Sequence, residues 1–454
     1  FREEPRQSAP LPLAPGGQMQ TYSETLKRIY NLRGGMIDLR LDRMQQALAL
    51  FGDPQNAFPS IHIAGTNGKG STAAMLHCIL SRAGYRAALY TSPHLVSFTE
   101  RIRLGRDEIT QEEVVAIAEE IWQKTAAADV PLTFFEFNTV MAFIYFARRG
   151  TDVAVVEVGL GGRLDATNVI TPMVSAITTI SKDHEAYLGP DELSIAREKA
   201  GIIKPRIPVV VGKVSKEVAG LLRNIAAERQ APVYFLGVDL KFSLKDDRFF
   251  DYTGIKQHYS NIELALVGRH QRANAAVALA VVETVGDRFP VDEGAIREGL
   301  RQVRWPGRFD IMFEQPTVIL DGAHNPEGVN ALVDELRVRR QGRRIKLLFA
   351  TMADKEWEIM LRALSPAVDE VVFTKVDMER SADPRMLAEK LSEPIPHRII
   401  ADARSAVTTL LNEADRRDII VVAGSLYLLG EVRPMLEIIA TAKTAASTSI
   451  HSQH

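Results

Sequence analysis

The chain has 454 residues, too many for one hydrophobic core, so at least two domains are expected. With 46% hydrophobic and 25% charged residues it has the composition of an ordinary soluble globular protein, and a net charge of −2 excludes an overall basic field for nucleic acid. One cysteine, Cys78, excludes an internal disulfide or a Cys-rich zinc module and suits a reducing cytoplasm, and no apolar run approaches the ~20 residues of a membrane helix.

Residues 1–19, rich in Pro, Gly and charge, lack the apolar core of a signal peptide and read as a disordered leader. From residue 60 to 300 short β-branched runs alternate with helical patterns. "SIHIAG", "AALYTS", "DVAVVEVG", "VSAITTI" and "PVVVG" are apolar on both faces, as buried parallel strands are. "STAAMLHCILSRAG" reads as a helix starting at Ser71 and closed by Gly84, and "FEFNTVMAFIYFARRG" as another closed by Gly150. Between Leu240 and Gly268 the pattern changes to period two, which predicts a small β-meander.

Trp305-Pro306-Gly307 interrupts both patterns and puts a domain boundary between Arg301 and Arg308. Beyond it "PTVILDGAHN", "RRIKLLFATM", "DEVVFTKV" and "DIIVVAGS" are strand-like, separated by helical stretches such as Glu327–Arg339 and Asp402–Arg416. The expected fold class is α/β. Residues 20–303 form a P-loop-type, mostly parallel sheet domain with a small β insertion, residues 304–442 a Rossmann-like α/β domain, and 443–454 a disordered polar tail.

The stretch "IHIAGTNGKGSTAAML" has the strand–loop–helix setting of a phosphate cradle. Backbone N–H groups freed by Gly65, Gly68 and Gly70 can turn toward an anion, the helix N-terminus adds partial positive charge, and Lys69 supplies a mobile cation. The common pattern places Ser or Thr directly after the lysine, yet Gly70 stands there. A magnesium ion would therefore need ligands elsewhere. Ser92 and Glu157 follow or end neighbouring strands, where ligands of open α/β sheets gather, and His184 lies where a third strand reaches the same edge. The plainer alternatives are a strand-to-helix turn for the loop, a carboxylate satisfied by the "GLGG" turn for Glu157, and an ordinary hydrogen-bonding residue for His184. On sequence physics alone Lys199 is a solvated helix residue.

"HIAGTNGKGST", "YTSPHLVSFTERIR", "VVEVGLGGRLDATN", "DHEAYLG", "IAREKAGIIK", "WPGRFD", "LDGAHNP" and "GSLYLLGEVR" occur in that order. Together, from about residue 20 to residue 440, they resemble the folylpolyglutamate synthase and dihydrofolate synthase family of Mur-type ligases. The G-T-N-G-K-G-[ST] loop belongs to that family's pattern. The resemblance implies ATP held by Gly65, Thr66, Asn67, Gly68, Lys69, Gly70 and Ser71, with Asn274, Arg308 and Asp321. It implies two Mg²⁺ ions with Ser92, Glu157 and His184 as ligands, and a carbamylated Lys199 as an anionic ligand for the second.

Dihydropteroate-side residues carried over from the bifunctional bacterial enzymes are Asp38, Leu39 and Arg40, then Thr133, Phe134, Phe135 and Glu136, then Leu164, Asp165 and Ala166. Arg40 departs from the small residue the family pattern would place there. Ser425 matches a residue of the glutamate half-site, while a small residue in a strand-to-helix turn is the plainer account of it. Lys69, Lys199 and His324 are the implied catalytic groups. The implied reaction activates a dihydropteroate or folate carboxylate as an acyl phosphate and transfers it to L-glutamate, in a cytoplasmic enzyme that is a monomer with no nucleic-acid or membrane partner. Other Mur-type amino-acid ligases, and a P-loop NTPase switch, remain as alternatives.

Overall fold

A computed structural model describes residues 21–32, 41–246, 248–391 and 394–451. The expected leader and the Asp38–Arg40 segment lie outside these residues.

The first sheet contains β1 (Ser60–Ala64), β2 (Ala87–Tyr90), β3 (Ile102–Leu104), β4 (Asp107–Glu108), β5 (Val153–Glu157), β6 (Val174–Thr179), β7 (Val209–Lys213) and β8 (Val233–Phe235). Its order is β4-β3-β2-β5-β1-β6-β7-β8. All pairings from β2 to β8 are parallel, and β3 and β4 add an antiparallel edge. The central strands are buried along their whole length because helices cover both faces. One face packs under helices Lys69–Arg82, Arg269–Val285 and Glu293–Gln302, and the other under Gln111–Ala127 and Phe134–Arg148.

Strands β9 (Lys241–Leu244), β10 (Phe249–Thr253) and β11 (His258–Glu263) form the antiparallel meander expected from period-two patterning. The second large sheet contains β12 (Asp310–Glu314), β13 (Thr317–Asp321), β14 (Ile345–Phe349), β15 (Glu370–Lys375), β16 (His397–Asp402) and β17 (Ile419–Ala423). Its order is β12-β13-β17-β14-β15-β16, parallel except for the β12 edge, with apolar layers on both faces.

Three local expectations are corrected. The helix after the glycine-rich loop starts at Lys69, not Ser71, with left-handed Gly68 at its N-cap. The helix of "FEFNTVMAF" begins at Phe134, because Thr133 caps it and Glu136 closes a capping box. The last helix runs from Leu426 to His451, through most of the segment expected to be a disordered tail. Ala442, Ala445 and Ala446 supply helix propensity there that polarity alone does not reveal.

Candidate active site at the strand ends and the domain seam

Strands β2, β5, β1 and β6 are contiguous and parallel, so the segments leaving them emerge side by side at one sheet edge. Lys69 follows β1, Ser92 follows β2, Glu157 ends β5, and Lys182 to His184 follow β6. The topology alone brings these residues together.

Within the loop, Thr66 N–H donates to Thr179 O at 2.8 Å and Asn67 N–H to Thr179 Oγ1 at 3.1 Å, tying it to β6. Lys69 Nζ donates to the loop's own carbonyls, Gly65 O at 3.0 Å and Thr66 O at 3.2 Å. The ammonium thus rests over the turn on two neutral carbonyl acceptors. Asn274, buried in helix Arg269–Val285, lies against Gly68: a Cβ on that glycine would fall 2.4 Å from Asn274 Oδ1. Ser71 is buried in the first turn of the helix.

Glu157 is buried and accepts one hydrogen bond among the described residues, from Ser92 N–H to Oε2 at 3.1 Å. Its bond comes from the neighbouring strand end rather than the "GLGG" turn. Burial pushes the carboxyl up, and Lys69, the Ser92 amide, Arg308 and Arg101 pull it down. A buried carboxylate with a spare oxygen beside a serine hydroxyl is the donor set of a hard divalent cation. Its other oxygen and Ser92 Oγ make no hydrogen bond among the described residues, so the residues fit such an ion. His184 is left-handed at φ 53; burial pushes its imidazole down, Asp183 opposes this, and Lys355, Lys69 and Lys199 reinforce it. His/Cys/Asp/Glu side chains alone form no preassembled group of three among the described residues, so any metal site here needs Ser92 or other ligands.

Lys199 departs from the solvated residue that sequence physics suggested. It is 4% exposed, at the end of helix Glu192–Lys199. Burial, then repulsion from Lys69, brings its ammonium down to about 7, opposed by Asp183 and Asp165. Amphipathic spacing in a helix of eight residues is too short a signal to have exposed this.

The second sheet faces the same corner. Asp321 ends β13 and accepts from Phe309 N–H at 2.8 Å and Ala323 N–H at 2.9 Å; burial pushes it up and Arg308 pulls it down. The charge of Arg308 thus bears on carboxylates of both sheets, Asp321 and Glu157. His324 Nδ1 donates to Gly322 O at 2.8 Å, leaving Nε2 as the lone-pair nitrogen of the neutral ring, 3.8 Å from Asp183 Oδ2. Burial, then Lys355, holds that ring at about 4.

Residues the sequence reading missed close the seam. Lys355 Nζ donates to Asp183 Oδ1 at 2.7 Å. Burial alone would raise Asp183, but His184 and Lys355 outweigh it and hold the carboxyl well below the usual range. Asn67 and Asn325 exchange amide hydrogen bonds at 3.3 and 3.0 Å, and Glu327 accepts from Asn67 Nδ2 and Ser181 Oγ, both at 2.6 Å. Asn325-Pro326 was a readable N-cap and N1 pair, and Asn325 does cap helix Pro326–Arg340. Its reach to the phosphate loop was not readable.

The remaining candidate residues lie on neighbouring elements of the first domain and, for Ser425, after β17. Thr133 and Glu136 cap their helix, and Arg43 donates to Glu136 at 2.9–3.0 Å. Phe134 stacks on Tyr30 with centroids 5.8 Å apart and lies under Arg101, while Phe135 packs against Tyr90 and Gly159. Tyr30, His94 and Arg101 complete this aromatic and cationic wall. Asp165 is engaged by Thr167 Oγ1 at 2.5 Å, Thr167 N–H at 3.0 Å and Leu160 N–H at 2.9 Å, with half-buried Leu164 and buried Ala166 beside it. Ser425 is buried, and its Oγ accepts from Tyr427 N–H at 3.1 Å, as the plainer turn account requires.

Two family models match the chain: the Mur ligase middle domain over residues 63–282 and the Mur ligase glutamate ligase domain over 307–426. A dihydrofolate synthase/folylpolyglutamate synthase of Bacillus subtilis is 34% identical over 408 residues, covering 87% of this chain and 95% of that one. The Escherichia coli FolC structure in complex with DHPP and ADP superposes with a TM-score of 0.86 at 33% identity, covering 92% of this chain and 98% of that one. The Yersinia pestis bifunctional folylpolyglutamate synthase/dihydrofolate synthase, complexed with AMPPNP and a manganese ion, gives 0.84 at 34% identity, covering 93% and 100%. On its own strand-end geometry and this similarity along nearly its whole length, the chain belongs to the dihydrofolate synthase/folylpolyglutamate synthase family of Mur ligases.

Proposed function

We propose that the protein joins L-glutamate to dihydropteroate and to reduced folates at the expense of ATP. The observation that carries this reading is the convergence of Lys69, Glu157, His184 and Lys199 at one sheet edge, with Arg308, Asp321 and His324 facing them from the connection and the second sheet.

A carboxylate is a poor electrophile, so the substrate carboxylate attacks the γ-phosphorus of ATP, forming an acyl phosphate and releasing ADP. The α-amino group of glutamate then attacks the acyl carbon, the amide forms, and phosphate leaves. Lys69 and the amides of Gly65 to Ser71 hold the phosphates and offset their repulsion of the incoming carboxylate. Arg308, Asn274 and Asp321 orient the nucleotide. His324 Nε2, a lone-pair acceptor while Nδ1 donates to Gly322 O, would orient the glutamate amino group rather than carry its proton away, since a ring held at about 4 is too weak a base for an ammonium. Catalysis is otherwise positioning, since the protein forms no covalent bond to substrate.

Ser92, Glu157 and His184 would hold Mg²⁺, which supplies Lewis-acid neutralisation of phosphate charge. A second ion would use a carbamate on Lys199. A buried lysine held at about 7 keeps a large share of neutral amine near neutral pH, the form that adds to CO₂ with loss of a proton. On the folate side, the wall around Phe134 and Phe135, the 164–166 turn and the 38–40 segment serve dihydropteroate, and Ser425 the glutamate half-site. In this reading residues 20–303 and 304–442 are the two halves of a cytoplasmic, monomeric enzyme.

Product analysis by mass spectrometry tests the reading, with ATP, Mg²⁺, glutamate and either dihydropteroate or tetrahydrofolate. Glutamylated product from both acceptors is expected. Glutamate incorporation without any pteroate-type acceptor would overturn the folate assignment.

A further inference from the structure

The glycine after Lys69 has a spatial cause. Gly70 is not among the left-handed glycines, but a Cβ there would lie 2.9 Å from Cζ2 and 3.0 Å from Nε1 of Trp305. The position that carries a hydroxyl residue in the common phosphate loop is here filled from outside by an indole. Trp305 is half-buried against the first sheet's apolar layer, and Arg103 lies 5.9 Å from its ring centroid.

Trp305 belongs to the connection between helix Glu293–Gln302 and β12. Two residues on, Gly307 is left-handed at φ 74, and Phe309 is left-handed at φ 46, a region bulky side chains seldom enter. Burial and the Phe309 N–H bond to Asp321 Oδ2 at 2.8 Å hold it there. Gly322 N–H donates to Gly307 O at 2.8 Å, docking the connection on the second sheet. Arg308 stands between these two unusual residues, its Nη1 only 2.8 Å from where a Cβ on Gly322 would be. The connection is thus fixed at one end to the phosphate-loop helix and at the other to the strand end that carries Asp321.

We propose that Trp305 is a positioning residue that couples the placement of the phosphate loop, through its contact with Gly70, to the placement of Arg308. A shift of the loop helix would press on the indole, and the connection, pinned at Gly307 and Phe309, would pass that shift to the guanidinium. The inference rests on the reading of Arg308 as a nucleotide ligand, and adds a residue that touches no reacting atom.

The test is a double-mutant cycle on the full-length protein, using Trp305→Leu, Arg308→Ala and their combination. Each chain is titrated with a non-hydrolysable ATP analogue and Mg²⁺, and its Tm is recorded. Trp305→Leu should weaken analogue binding by about 10-fold in the parent chain and by less than about 2-fold in the Arg308→Ala chain. Trp305→Phe should recover most of the loss. Equal losses in both backgrounds, or a fall in Tm with no change in Kd, would overturn the coupling. If Trp305→Leu does not fold, Trp305→Met, which keeps more of the apolar bulk against Gly70, takes its place in the cycle with the same expectation. Arg308→Ala binding as tightly as the parent would instead remove the nucleotide reading on which the coupling stands.

Discussion

The strand-end corner and the domain seam meet at the same phosphate loop but are built by different means. In the corner, Lys69, Ser92, Glu157 and the 182–184 segment are placed by backbone, because β2, β5, β1 and β6 are neighbouring parallel strands. In the seam, side chains do the joining: Asn67 with Asn325, Glu327 with Asn67 and Ser181, Lys355 with Asp183. The corner is thus set by strand order within the first sheet, whereas the seam is held by individual side-chain hydrogen bonds between the two sheets' loops. In the proposed function the first carries the chemistry and the second completes the site.

The largest effect should come from the corner. Lys69→Ala removes the cation over the loop and should cut glutamate incorporation on the order of 1000-fold with an unchanged Tm. Near-normal kcat in this variant would reduce the loop to an ordinary turn. Glu157→Gln keeps the Ser92 N–H bond possible but removes the charge, so the Mg²⁺ needed for half-maximal activity should rise by roughly 10- to 100-fold. An unaltered Mg²⁺ titration would take Glu157 out of the metal site.

The seam should respond through stability and turnover together. Lys355→Ala takes the ammonium from Asp183, which keeps its bonds from His184 N–H at 2.9 Å and Asn325 Nδ2 at 3.3 Å, so the loss of this buried pair should cost about 1–3 kcal/mol. A lower Tm and a lower kcat are expected, and a variant with both unchanged would show that the bridge does not assemble the site. The smallest effect is a pH dependence carried by His270 and His324. Burial, then Arg308, brings His270 from 6.5 to about 4, and burial, then Lys355, does the same to His324. The folded state thus binds fewer protons than the unfolded chain below pH 6.5. The stability these rings contribute is present above that pH and is lost as pH falls toward about 4. Tm measured across this range should fall less steeply in His324→Gln than in the parent, and parallel curves would show that the ring does not titrate with unfolding.

The same division decided what the sequence could reveal. Runs such as "DVAVVEVG" are apolar on both faces because their strands are covered on both sides, so the central strands and their ends were legible. Edge strands β3, β4, β12 and β16 are short or mixed in polarity and were not. Thr133-x-x-Glu136 is a capping-box pattern, so its local role is available from spacing alone. Asp183 and Lys355 are separated by 172 positions and Asn67 and Asn325 by 258, so no local periodicity could pair them. Lys199 shows the converse: its side chain is buried by tertiary packing that a short helix does not encode.

The most direct test of carboxylate activation follows the substrate's own oxygen. A dihydropteroate or folate acceptor with isotopically labelled carboxylate oxygens is turned over with ATP, Mg²⁺ and glutamate, and the released phosphate is examined by mass spectrometry. The account expects one labelled oxygen in each phosphate per amide formed, because the carboxylate oxygen that attacks phosphorus leaves with it. Amide formation with unlabelled phosphate would contradict an acyl-phosphate route and, with it, the role given to the loop at Lys69.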